Sequence, residues 1–153
     1  MTSSSSARPG RLISLDDPAA TRAELTGGKA AALARARQAG LPALAGYVTP
    51  IRDGAAALRA GCAALRDRSR AAARRAVLAA PVDAGLVSEL ARAVAELGGR
   101  VIVRSSSPLE ADPRWSGAFS SIREIGPGDV TAAARSCWSS AFAPDPLDRL
   151  ERC

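Results

Sequence analysis

Histidine is absent from these 153 residues, and lysine occurs once, at Lys29, among 21 basic residues. Without histidine the chain can carry no Ser-His-Asp or Cys-His relay and no phosphohistidine intermediate. Its three cysteines, Cys62, Cys137 and Cys153, are odd in number, far apart and free of any Cys-x-x-Cys pair, which argues against a disulfide framework or a structural zinc site. Aromatic residues are scarce, with two Phe, two Trp and one Tyr, so the 47% hydrophobic share is carried mostly by alanine. A core of that kind has to be made by close packing of helices through small side chains. No apolar run approaches the length of a membrane span, and Met1 to Arg11 is Ser, Pro, Gly and Arg without the apolar stretch of a secretory signal. These absences point to a cytoplasmic protein with a disordered tail over residues 1–11.

What is abundant is arginine, which produces a formal charge of +6 and a pI near 10.5. That balance invites a nucleic-acid reading. Arg59, Arg66, Arg70, Arg74 and Arg92, however, are spread along helical segments with no aromatic interleaving for base stacking, which reads as a solvated helix surface. The cluster from Arg66 to Arg75 is the one stretch suited to an acidic partner.

Local signals give an α/β or α+β order, helix-rich with a small sheet. Leu12, Ile13 and Leu15 form a short strand or extended lead-in ending at Asp16-Asp17-Pro18. Lys29 to Ala39 are strong helix formers, opened by Gly27-Gly28 and stopped by Gly40 with Pro42 beyond. Gly46 to Thr49 reads as a strand. Asp53 is expected to cap a helix with Leu58, Cys62 and Leu65 on its apolar face, and an arginine-rich helix runs on to about Ala79. Pro81 suits the first turn of a further helix with Leu86, Leu90, Val94 and Leu97 on one face, ended by Gly98-Gly99. The β-branched run Val101-Ile102-Val103 is the best strand, and Ser121 to Ile125 a second. Asp129 then caps a helix with an apolar stripe from Val130 through Cys137 and Trp138 to Phe142, ending before Pro144, in which Cys137 is a buried thiol.

Two cations stand at element ends: Lys29 behind two glycines at a helix start, and Arg104 at the end of a strand expected to be buried, followed by Ser105 and Ser106. A buried charge is costly unless paired, so each calls for an anion, and one polyphosphate would serve both. The plainer readings are a leftover surface lysine in an arginine-biased chain, a structural pair of Arg104 with Glu110 or Asp112, and a mobile polar loop carrying those two carboxylates. The pattern is not a Walker loop, since Gly-x-x-x-x-Gly-Lys-Ser/Thr is absent and Ala30 follows the lysine.

Three ordered blocks resemble the nucleotide-binding domain shared by phosphoenolpyruvate synthase, pyruvate phosphate dikinase and rifampicin phosphotransferase. Gly27-Gly28-Lys29-Ala30-Ala31-Ala32-Leu33, continuing to Ala39-Gly40-Leu41-Pro42 and Gly46-Tyr47-Val48-Thr49, is similar to the opening of that domain. Val101 to Ser107 is similar to its V-x-V-R-S-S strand, and Ser116-Gly117-Ala118-Phe119 to the loop that follows. Ala134 to Phe142 is similar to its R-x-C-W-A-S-L-F helix. The resemblance implies the N-terminal part of an ATP-grasp type domain over residues 12–149, with 150–153 as a tail. It implies that Lys29 and Arg104 hold ATP phosphates, with Gly27, Gly28, Ser105 and Ser106 around them and Gly117 in a closing loop. The chain departs from the pattern where the acidic pair is broken as Glu110-Ala111-Asp112 and where the proline-rich turn is reduced to Pro42-Ala43-Leu44-Ala45.

Family members relay phosphate through a histidine on a separate domain and bind Mg²⁺ on a second subdomain. The chain is therefore expected to bind nucleotide weakly without catalysing transfer alone, as a fragment, a truncated gene product or one subunit of a split phosphotransferase. The rival readings are a noncatalytic helical interaction module, drawn from the alanine-rich faces, and nonspecific nucleic-acid binding through the arginine surface.

Overall fold

The computed structural model describes residues 11–66, 69–115 and 117–151. It is a helix-rich mixed α/β chain with two small antiparallel sheets, where one was expected. β1 (Ile13–Ser14) pairs with β2 (Tyr47–Val48), with Ile13 opposite Val48. Between them lie a short helix α1 (Ala23–Thr26) and α2 (Gly28–Gln38), which bury Ala20, Ala30 and Ala34 against Leu15 and Val48. The expected helix at Lys29 to Ala39 is thus present to within one residue at either end. Arg11, assigned from sequence to the tail, is part of the fold: its N–H donates to Glu89 Oε2 at 2.7 Å and its guanidinium meets Asp83 at 3.1 Å. The rest of the expected tail, residues 1–10, lies outside the described residues.

A helical layer follows, made of α3 (Ile51–Leu65), α4 (Arg70–Ala79) and α6 (Val130–Ser139). The apolar face expected for α3 is rotated. Gly54, Ala57 and Gly61 are buried, while Cys62 is exposed and Leu58 and Leu65 are half-buried. The reason is close approach: a Cβ on Gly61 would lie 2.5 Å from Phe142 Cε2 and 2.7 Å from Val77 Cγ2. The large side chains thus come from α4, α6 and the turn Ser140–Phe142, and α3 supplies the hollow they fill. Asp53 does not cap α3, which starts after Pro50 with Asp53 already in its first turn.

α5 (Ala84–Glu96) starts three residues beyond Pro81, because Asp83 is the cap: its carboxylate accepts the N–H groups of Gly85 at 2.8 Å and Leu86 at 3.2 Å. Leu86, Leu90 and Val94 then pack on the second sheet, formed by β3 (Val101–Arg104) and β4 (Ser121–Ile125), through Val101, Val103 and Ile125. Their register shifts by one residue between Val101↔Ile125 and Val103↔Ile122, next to Glu124 at φ +58°, a bulge that lets the short ribbon twist over α5. β3 is not a fully buried strand. It alternates, with Ile102 43% exposed and Arg104 on the same outer parity.

Pro144, expected to end the helical region, instead opens α7 (Pro144–Glu151), as a proline at a helix start can. Among the described residues no helix is long and apolar enough to cross a membrane.

Candidate anion-binding cleft

The first two sequence blocks meet at the start of α2, where Ala30 and Ser106, 76 residues apart, are in contact. Gly27 enters the helix at φ +83° and ψ 164°, a region essentially reserved for glycine, and packs so tightly on the serine loop that a Cβ there would lie 2.2 Å from the Ser106 carbonyl oxygen. The N–H of Gly28 donates to Ser107 O at 2.9 Å, and the N–H of Ala30 donates to Ser106 Oγ at 2.9 Å. The serine loop thus supplies the cap that α2 lacks from its own N-cap residue, Gly27. Ser106 is therefore a brace for the helix, and two of the amides available to an anion at this terminus are already engaged.

Lys29 projects from this corner into a cleft of about 490 Å³. One wall is α2, with Gly28, Lys29, Ala32 and Leu33; the other is the loop carrying Glu110, Asp112, Pro113 and Gly117. The Lys29 ammonium is 2.7 Å from Glu110 Oε1. The Glu110 side chain is 4% exposed, and its second oxygen accepts the Ser107 N–H at 2.7 Å, so this carboxylate ties the lysine to the serine loop. The polar loop expected from sequence contains local structure. It forms two 3-10 turns, Pro108–Ala111 and Pro113–Trp115, anchored by a buried Trp115 stacked on Phe119 at 6.1 Å. Asp112 faces the cleft, but Arg114 grips it at 2.6 and 2.8 Å, and those hydrogen bonds hold its carboxyl below the usual aspartate range.

Of the residues singled out from sequence, Gly28, Lys29 and Gly117 line the cleft, and Gly27 and Ser106 form the seam behind it. Arg104 and Ser105 do not line it. The Arg104 side chain is exposed on the outer face of β3, and among the described residues no carboxylate pairs with it, so the structural pair with Glu110 or Asp112 is also not formed. Ser105 donates its N–H to Ser120 O at 3.2 Å, while its buried Oγ has no partner.

The third block reaches the same region from below. Cys137 Sγ lies 3.7 Å from both Val103 O and Ser120 O, and burial pushes its thiol up to about 11, against a smaller opposing pull from Lys29. It is a packed thiol and not a nucleophile, as the helical pattern indicated.

Glu110 is the residue that sequence reasoning undervalued. Its signal was present as Ser107-Pro108-Leu109-Glu110, a capping box with proline at the first turn position, which fixes a glutamate back on the loop that precedes it.

The cleft has the size of a small-molecule site and one half-buried ammonium, with two N–H donors left after the Glu110 contact. These features fit a phosphate group at Lys29. Among the described residues no group of three or more His, Cys, Asp or Glu side chains is placed to hold a metal ion. No protein-family model matches the chain, and no curated protein matches it.

Proposed function

We propose that this chain binds the phosphates of a nucleotide, ATP by the resemblance, at the Lys29 cleft. In this reading it is the N-terminal part of an ATP-grasp type domain of the phosphoenolpyruvate synthase and pyruvate phosphate dikinase kind. The observation that carries the reading is the convergence of the three resembling blocks on one corner. Gly27-Gly28-Lys29 lies on Ser106-Ser107, and Cys137 lies under Val103 and Ser120. Unrelated similarities would have no reason to place the first two blocks against each other at the lysine and the third beneath the strand of the second.

The proposed role is gripping phosphate, with transfer itself left to groups beyond these residues, since a phosphoryl transfer enzyme works mainly by positioning and charge stabilisation. Mg²⁺ is assigned no ligand here. A separate chain supplying metal ligands and a phosphate-accepting histidine is the partner this reading calls for, and a cytoplasmic setting is consistent with it.

Isothermal titration of the full chain with ATP and Mg²⁺ tests the proposal. The expected Kd is weak, on the order of 1 mM, because a single partly neutralised cation contributes little. Lys29→Ala should abolish the signal. An affinity that survives this substitution places the nucleotide elsewhere.

A further inference from the structure

The single lysine of the cleft is not a free cation, and its two-body contact with Glu110 is unequal. The Glu110 side chain is 4% exposed and is held at both oxygens, by Lys29 Nζ and by the Ser107 N–H, each at 2.7 Å. Lys29 is 32% exposed and sits at the end of a flexible four-carbon stem. When an anion enters, Glu110 cannot follow it without releasing the serine loop, which also caps α2 through Ser107 O and Ser106 Oγ. The ammonium is the group free to turn.

We propose that the Glu110 carboxylate is a resident counter-anion of Lys29, which a phosphate-bearing ligand has to outcompete, so that this pair sets the affinity of the cleft for anions. The inference rests on the reading of the cleft as a phosphate site. Its physical basis is the asymmetry of the pair. As Lys29 turns to the ligand, Glu110 keeps the Ser107 N–H but loses its counter-charge, and the incoming phosphate adds a like charge to the cleft that Glu110 lines, a cost larger than that of parting an exposed pair. Glu110 is thus a positioning residue that holds the lysine at the mouth of the cleft and penalises its use. The penalty falls alike on any ligand whose phosphate needs the ammonium.

Glu110→Gln preserves the shape and keeps an oxygen for the Ser107 N–H, while removing the charge that holds Lys29. Titration with inorganic pyrophosphate should show binding about tenfold tighter than in the unmodified chain, the scale expected when a buried unpaired charge no longer has to be left behind. The gain should vanish in Lys29→Met/Glu110→Gln. Because Lys29 is the only lysine, acetylation at Nζ can be read on its own peptide by mass spectrometry. It should be slow in the unmodified chain, faster in Glu110→Gln, and suppressed by pyrophosphate in both.

Weak pyrophosphate binding that Lys29→Met removes but Glu110→Gln fails to tighten overturns the resident anion and leaves the phosphate site standing. No binding by any variant overturns both. If Glu110→Gln does not fold by circular dichroism, Glu110→Asp serves instead. Its carboxylate, one methylene shorter, cannot reach both partners, and faster acetylation with tighter pyrophosphate binding is again expected, with no change in either counting against the proposal.

Discussion

Gly27→Ala is the sharpest perturbation of the corner on which the site is built. The added methyl meets two separate obstacles. The first is conformational: φ +83° with ψ 164° costs a residue bearing a Cβ about 1–3 kcal/mol. The second is steric. The Cβ would stand 2.2 Å from Ser106 O and 2.4 Å from Ser106 C, where ordinary contact begins at 3.4 Å, and the obstacle is backbone, which cannot swing aside as a side chain can. The serine loop has to withdraw by about 1 Å, which takes the Gly28 N–H to Ser107 O and Ala30 N–H to Ser106 Oγ bonds out of range. At about 1 kcal/mol each, their loss brings the total to about 3–5 kcal/mol, a large share of the 5–15 kcal/mol typical of a whole domain. Gly40→Ala is the control. Its φ is +76°, but nothing lies within 4 Å of the added atom, so it should lose only the conformational share, about 1 kcal/mol. Urea unfolding of the two variants measures the difference. Equal stabilities within about 1 kcal/mol would show that α2 and the serine loop are not in the contact described, and the cleft would lose its rear wall.

Further outcomes follow from the core and from the cations. Gly61→Ala should lose about 1–2 kcal/mol in thermal unfolding, because overpacking against Phe142 and Val77 outweighs the helix propensity gained; a neutral result would mean that α3 can slide. Iodoacetamide at pH 8 should modify exposed Cys62 and spare buried Cys137. Since burial raises the Cys137 thiol from 9.0 to about 11, the unfolded chain loses this proton first as pH climbs. The stability the neutral thiol contributes is complete below pH 9 and is lost through about pH 11, a slope that should be missing in Cys137→Ala. Arg104→Ala should leave ATP affinity within about twofold, as befits a side chain outside the cleft, and a loss as large as that of Lys29→Ala would refute the placement of Arg104.

Element ends were the most readable part of the sequence. Gly27-Gly28 and Gly40 bracket α2, Gly98-Gly99 follows α5, and the β-branched run at Val101 marks β3, because backbone chemistry at those points leaves little choice. Packing was less readable. Apolar periodicity favoured Leu58, Cys62 and Leu65 on α3, but where neighbouring helices carry Trp138 and Phe142 the face they cover must be small, and a search for large apolar residues selects the wrong stripe. Proline misled twice. Pro81 precedes the cap Asp83 rather than sitting inside a first turn, and Pro144 begins a helix rather than forbidding one. Within the site, the corner of Gly28, Lys29 and Ser106 was legible as three local patterns. Its closing piece, Glu110, was not, because its partner is fixed only when residues 29 and 110 are brought together in space.

The same distinction explains Arg104. A cation at the end of a strand is near whatever lies beyond the strand end, but strand parity decides which way it points. Val101 and Val103 have to face α5, so positions 102 and 104 face outward, and the residues that reach the start of α2 are Ser106 and Ser107. The cleft is left with Lys29 balanced by Glu110 and Asp112 balanced by Arg114, close to electrically neutral. A neutral cleft attracts a polyphosphate weakly at long range and at close range must first part a buried pair. A phosphorylated ligand that binds tightly here has therefore to bring positive charge with it, and its affinity should rise with the divalent cation it carries far more than that of a site walled with free lysines and arginines would.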